Sequence, residues 1–185
     1  MIFLTADAYG VLPPISKLNR NQAKYYFVSG FTSKVAGTEI GITEPVPTFS
    51  TCFGEPFLPL DPSVYASMLE EKVEKSGANV YLVNTGWNGT GKRMKLAYTR
   101  AMITAALTGS IEHARFVTDP TFGVSVPTSI DGVPSELLIP ENTWEDKEAY
   151  RANCRKLAES FIENFRKYEH MSAEVMAAGP KVDRR

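Results

Sequence analysis

The sequence has little cysteine: Cys52 and Cys154 are the only two in 185 residues. Two thiols so far apart make neither a disulfide scaffold nor a four-ligand zinc site. They predict a reduced, intracellular protein. Charge of one sign is not in excess either, with Lys+Arg 20 against Asp+Glu 21 and a net of −1. So even a balance gives no basic field to hold nucleic acid by phosphate neutralisation, and no nucleic-acid partner is expected. No apolar run reaches the ~18 residues that a membrane helix needs, so no membrane partner is expected. Residues 1–5 have no basic lead and no long apolar stretch of the signal-peptide kind, and a cytoplasmic location follows as the expectation. A chain that opens directly on an apolar strand also predicts further chain upstream. There is no G-x-S-x-G elbow and no H-E-x-x-H pair. His113 and His170 have no partner at metal-ligand spacing and read as surface residues, so no metal ligand is expected in the chain.

What is present is ordinary globular composition, 43% apolar and 22% charged. A chain of this length can bury roughly 70% of its unfolded surface, enough for a real core. Residues 1–170 read as one domain, and residues 171–185 as a frayed C-terminal tail. Residues 2–6 form a short apolar strand. Ala23, Tyr26, Phe27, Gly30, Phe31, Lys34 and Val35 make one helical stripe, with Asn19 or Asn21 as cap and Gly37 as end. Residues 48–53 read as a strand. Asp61 and Pro62 open a helix with Tyr65, Met68, Leu69 and Val73 inside and Gly77 as its stop. Residues 79–84 (N-V-Y-L-V-N) form a continuous apolar strand of the kind covered on both faces. A glycine-rich loop follows, then a helix over residues 96–108. Two short strands flank Pro120, and Asp131-Gly132 is a turn. Thr143 with Asp146 predicts a capping box for a long helix with Tyr150, Cys154, Leu157, Phe161, Phe165 and Tyr168 inside. Strands alternating with helices give an α/β class.

The stretch Gly86-Trp87-Asn88-Gly89-Thr90-Gly91-Lys92-Arg93 nearly matches G-x-x-x-x-G-K-[ST], the phosphate-binding loop. Its glycines could turn backbone N–H groups toward an anion, with Lys92 and the next helix adding positive potential. Arg93 stands where the Mg²⁺-binding hydroxyl belongs, and offers instead a planar cation suited to stacking on a base. The competing reading is a tight strand-to-helix turn that needs glycine for geometry. Asn88-Gly89-Thr90 also spells a glycosylation acceptor, which the absence of a secretory signal discounts. Asp7, at the end of the first strand, could line a ligand crevice but reads better as a turn aspartate. Glu39 and Glu44 could pair, though a solvated loop is the plainer reading. Cys52 reads as a small buried hydrophobe rather than an accessible thiol.

Whole segments resemble the C-terminal part of the ATP-dependent phosphoenolpyruvate carboxykinases. They run from Phe3-Leu4-Thr5-Ala6-Asp7-Ala8-Tyr9-Gly10-Val11-Leu12-Pro13-Pro14 through Val35-Ala36-Gly37-Thr38-Glu39 and Gly41-Ile42-Thr43-Glu44-Pro45. Thr48-Phe49-Ser50, Cys52-Phe53-Gly54, residues 82–93 and Ala177-Ala178-Gly179-Pro180-Lys181 continue the likeness in register. The resemblance implies a mixed α/β fold, the C-terminal part of the family's mononucleotide-binding domain, with helices packed on a mixed sheet. It implies a parent enzyme that converts oxaloacetate and ATP to phosphoenolpyruvate, ADP and CO₂, a gluconeogenic step, using Mg²⁺ with the nucleotide and a second metal, Mn²⁺. It also implies a base site: Arg93 along the adenine, Met94 beside it, and Thr99 completing the pocket. Residues 86–92 are then a base-side loop. The family's phosphate loop, metal ligands and oxaloacetate-binding arginine lie upstream of the segment matching Met1, so this chain carries no catalytic residue. Ile40 departs from the charged residue expected at its position. The piece alone is expected to be inactive and a weak adenine binder. An open sheet edge or apolar patch makes self-association a hazard.

Overall fold

The computed structural model of the chain describes residues 1–34, 43 and 45–182. These form β1 (Ile2–Thr5), β2 (Ile15–Leu18), α1 (Arg20–Ser29), β3 (Phe31–Lys34), β4 (Val46–Phe49), α2 (Pro62–Ser76) and β5 (Val80–Asn84). They continue with α3 (Leu96–Thr108), β6 (Phe116–Thr118), β7 (Ser125–Pro127), α4 (Ser135–Leu138), α5 (Lys147–Phe165) and α6 (Ala173–Met176). Five strands make a mixed sheet in the order β1-β5-β2-β7-β6, with β1 parallel to β5 and the other pairs antiparallel. β3 and β4 pair separately as an antiparallel ribbon. No helix among the described residues is long and apolar enough to cross a membrane.

The sheet is covered on both faces, and β5 shows why its sequence lacks alternation. Val80 and Leu82 enter one core cluster with α1, α2 and α5, while Tyr81 and Val83 enter a second with α3 and α4. A strand with two dry faces needs apolar side chains in both directions. The first cluster is aromatic, and Phe161 of α5 lies at its centre, fully buried.

The first helix is shorter than its stripe. Asn19 caps it in a reciprocal capping box with Gln22, and Gly30 ends it in the left-handed region at φ 54. The stripe runs past Gly30 in sequence because Phe31, the first residue of β3, is buried as well. A β-carbon at Gly30 would lie 1.7 Å from the Ser50 carbonyl oxygen, so only glycine lets this turn close. Gly37, Ile40, Glu39, Glu44 and Val35 lie outside the described residues, as do Arg184 and Arg185. The strand expected over residues 48–53 stops at Phe49 and passes into a 3₁₀ turn, Thr51–Phe53, in which Cys52 and Phe53 take positive φ values of 51 and 59. Asp61, Pro62 and Gly77 bound α2 as read, but Met68 is exposed and Ala66 takes the inner place. α3 and the two short strands about Pro120 fall where expected.

The long helix starts later than its expected cap. Asp146 is the N-cap, accepting from the Glu148 and Ala149 N–H groups. Thr143 is the last residue of a 3₁₀ turn, Pro140–Thr143, and serves another loop. The described residues from Ser172 to Val182 do not fray. Ser172 caps α6, Val175 is buried, and Lys181 N–H donates to the Thr121 carbonyl at 2.8 Å. Gly179 passes so close to Tyr25 that a β-carbon would sit 2.4 Å from its ring. The apolar Val175 and the small Gly179 are therefore packing positions hidden in a segment of small and charged residues.

His170 ties this segment to the start of α2, with Nδ1 2.9 Å from Asp61 Oδ2. The Ser63 hydroxyl and the His170 ring hold the Asp61 carboxyl down at about 2. In return the Asp61 hydrogen bond and charge raise the His170 pKa. A raised imidazole stabilises the fold below its unfolded pKa of about 6.5 and loses that contribution as pH rises through the folded value. A depressed carboxyl stabilises above about 3.9 and loses its contribution as pH falls toward 2. The pair therefore acts between about pH 4 and 6.5, weakly, since both groups are exposed. Proton NMR is expected to show His170 titrating above about 6.5 and returning to that value in Asp61→Asn. A midpoint unmoved by Asp61→Asn contradicts the pairing.

Candidate functional site

β1 and β5 run parallel, so the loops leaving their C-terminal ends lie side by side. Asp7, fully buried, joins them. Its Oδ1 accepts from Tyr9 N–H at 2.8 Å, and its Oδ2 from Val11 and Leu12 N–H at 2.7 and 2.8 Å. Burial pushes the carboxyl above the ordinary carboxylate range, against the pull of the Leu12, Tyr9, Val11 and Gly10 N–H groups. Asp7 is thus a turn aspartate with its oxygens spent on its own loop, as expected for this residue type after a strand.

Asn84 locks the second loop to the first. Its side-chain oxygen accepts from Asp7 and Gly86 N–H, both at 2.9 Å, and its Nδ2 donates to the Leu12 carbonyl. Trp87 N–H donates to the Asp7 carbonyl at 2.9 Å. The approach is so close that a β-carbon at Gly86 would lie 2.2 Å from the Asp7 oxygen. A third segment closes on both. Gly89 N–H donates to Thr143 Oγ1, Trp144 Nε1–H donates to the Gly10 carbonyl, and a β-carbon at Gly89 would meet the Trp144 ring at 2.2 Å. Sequence reasoning missed Asn84, Thr143 and Trp144. The last two act across more than fifty residues and leave no local signature.

Between Trp87 and Arg93 the chain is a tight hairpin. Asn88 N–H donates to the Lys92 carbonyl, and Met94 N–H to the Gly86 carbonyl. Asn88 Oδ1 accepts from Thr90 N–H, Thr90 Oγ1 and Lys92 N–H. Every amide from Gly86 to Lys92, seven in a row, donates to an acceptor of the protein itself. A phosphate cradle needs such amides aimed at the ligand. The P-loop alternative therefore fails on its donors, and the glycines serve close approach and, at Gly91 with φ 72, turn geometry.

The three residues singled out for the base lie where this hairpin passes into α3. The Arg93 side chain is exposed; its Nε donates to the Thr85 carbonyl at 3.2 Å, and its guanidinium carbon lies 5.3 Å from the Trp87 ring centroid. Met94 is half-buried against the second core cluster, and Thr99 is buried in the first turn of α3. Burial pushes the Cys52 and Cys154 thiols up, to about 11 and about 12, which makes both poor nucleophiles. Among the described residues no group of three or more His, Cys, Asp or Glu side chains could hold a metal ion.

A family model for phosphoenolpyruvate carboxykinase matches residues 1–136. The chain is 60% identical to the phosphoenolpyruvate carboxykinase (ATP) of Caldanaerobacter subterraneus subsp. tengcongensis, over 98% of this chain and 36% of that protein. A Moorella thermoacetica phosphoenolpyruvate carboxykinase (ATP) is 60% identical and that of Bacillus subtilis 56%, each over 98% of this chain and 35% of the relative. The chain thus spans about a third of the length of these relatives. Family model, identity and the mixed α/β architecture agree: the chain belongs to the family of ATP-dependent phosphoenolpyruvate carboxykinases.

Proposed function

We propose that this chain supplies the adenine side of the ATP site of a phosphoenolpyruvate carboxykinase. The whole enzyme converts oxaloacetate and ATP to phosphoenolpyruvate, ADP and CO₂, a cytoplasmic step of gluconeogenesis. The observation that carries the reading is Arg93: an exposed guanidinium over the Trp87 ring, at the end of a loop whose amides from Gly86 to Lys92 are all engaged. A planar cation stacks on a purine, and in this reading half-buried Met94 and buried Thr99, next along the chain, supply its apolar and hydroxyl edges. The described residues offer no cluster for Mg²⁺ or Mn²⁺, and no step through either ion is derived from this chain. Phosphoryl transfer requires those ions and a phosphate loop, so the chain alone is inactive in this reading. One base-side anchor must offset the whole entropy of association, which makes its own ATP affinity poor.

Calorimetric titration of the chain with ATP tests this. Arg93→Ala is expected to weaken binding roughly tenfold or more, the loss of a desolvated cation–π contact. ATP affinity unchanged in Arg93→Ala contradicts the reading. A second reading, an interaction module, draws on exposed Phe57, Leu60 and Met68, and on β1 lying at the sheet edge with Leu4 57% exposed. Self-association of the isolated chain through such surface is part of the same proposal.

A further inference from the structure

Resting on the base-side reading of Arg93, we infer that Trp87 is its positioning residue: the indole holds the guanidinium flat on one face and leaves the other face for a purine. Trp87 and Arg93 form an isolated antiparallel bridge, so they stand directly opposite across the hairpin. Opposed residues of such a pair project to the same side, close enough for side chains to touch. The contact is seen in the guanidinium carbon over the indole at 5.3 Å. The Thr85 carbonyl fixes the stem side of the guanidinium, accepting from Nε. Trp87 is itself anchored. Its N–H is bonded to the Asp7 carbonyl, and Asp7 is held by three backbone N–H groups.

The physical consequence is pre-organisation. A free arginine side chain has about 2 kcal/mol of rotamer entropy to lose on ordering. Here two of its three attachments, the indole face and the Thr85 oxygen, are made before any nucleotide arrives. The purine then meets an ordered plane, and affinity rises because less freedom is lost on binding. Trp87 does not touch the base in this arrangement, so its effect passes entirely through Arg93. The near match to a phosphate loop hides this, since a bulky indole is out of place in a loop that hugs phosphate but suited to a stacking platform.

Adenosine, which lacks phosphate, is the probe, titrated into the full 185-residue chain and followed by NMR. Trp87→Leu is expected to weaken adenosine binding roughly three- to tenfold, while Trp87→Phe, which keeps a planar face, stays within about twofold of the parent. In the ligand-free chain the Arg93 side-chain protons are expected upfield of their random-coil positions, and to return there in Trp87→Leu. Adenosine binding that depends on Arg93 but is equal in Trp87→Leu overturns the role of Trp87 and leaves the base-side reading standing. Adenosine binding that does not depend on Arg93 overturns both. Should Trp87→Leu fail to fold, the parent chain still decides: Arg93 protons at random-coil positions overturn the stack.

Discussion

Phe161→Ala is expected to destabilise the chain by about 3–5 kcal/mol. The Phe161 ring has no solvent exposure and sits among five others. Its centroid lies 4.9 Å from Phe31, 5.2 Å from Phe49, 5.5 Å from Tyr26, 6.3 Å from Tyr25 and 6.5 Å from Phe122. These rings come from α1, β3, β4 and the β6–β7 connection, so none can move into the space without leaving its own element. The cavity therefore stays open, which places the cost at the upper part of the range for such truncations. The edge-to-face pairs with Tyr26, Phe49 and Phe122 are lost as well. Phe161→Leu keeps most of the apolar volume and is expected to cost about 1.5 kcal/mol. Urea unfolding with an unchanged slope reads both values. A loss below about 1 kcal/mol for Phe161→Ala contradicts the central place given to this ring.

Gly86→Ala is expected to be as damaging, for a different reason. No positive φ is involved, so the effect is steric alone. The added carbon would lie 2.2 Å from the Asp7 oxygen, 2.4 Å from its nitrogen and 2.8 Å from its carbonyl carbon. All three are backbone atoms of a residue fully buried and bonded on every side. Overpacking of this kind costs about 1–3 kcal/mol, and each buried hydrogen bond pulled apart adds about 1–3 kcal/mol. The bonds at risk are Asp7 N–H to Asn84 and Trp87 N–H to Asp7. A total near 4 kcal/mol follows, roughly 8–16 °C in Tm for a chain of this size. Gly91→Ala is the control within the same loop: nothing stands within 4 Å of its β-carbon, leaving only the strain of φ 72. Differential scanning calorimetry that ranks Gly91→Ala as the worse of the two contradicts the close approach of the strand loops.

Much of the fold was legible in the sequence where local rules act alone. Asp61-Pro62 and Gly77 bound α2, and N-V-Y-L-V-N is the doubly covered strand. α5 buries Tyr150, Cys154, Leu157, Phe161 and Phe165 as its spacing predicts, while Tyr168, the sixth position of that stripe, is buried beyond the helix end. The failures share one cause, partners distant in sequence. Gly30 looked like one residue of a long helix because the strand after it happens to continue the apolar pattern. Thr143 looked like a cap because its true partner is Gly89. The end rich in small and charged residues reads as frayed because a small residue that packs against Tyr25 cannot be told by composition from one that packs against nothing. At the candidate site the missing hydroxyl at Arg93 was legible, and it pointed away from a phosphate loop. That the amides from Gly86 to Lys92 are internally paired was not, since the acceptors on Asp7 and Thr143 belong to other parts of the chain.

The most direct test of the base-side account is calorimetric titration of the chain with ATP in Mg²⁺ and again in EDTA, followed by inorganic tripolyphosphate. The expected result is weak ATP binding that is the same with and without Mg²⁺, and no heat from tripolyphosphate. Tight ATP binding that requires Mg²⁺, or tripolyphosphate that competes with ATP, would put the phosphates rather than the base on the 86–93 hairpin and contradict it.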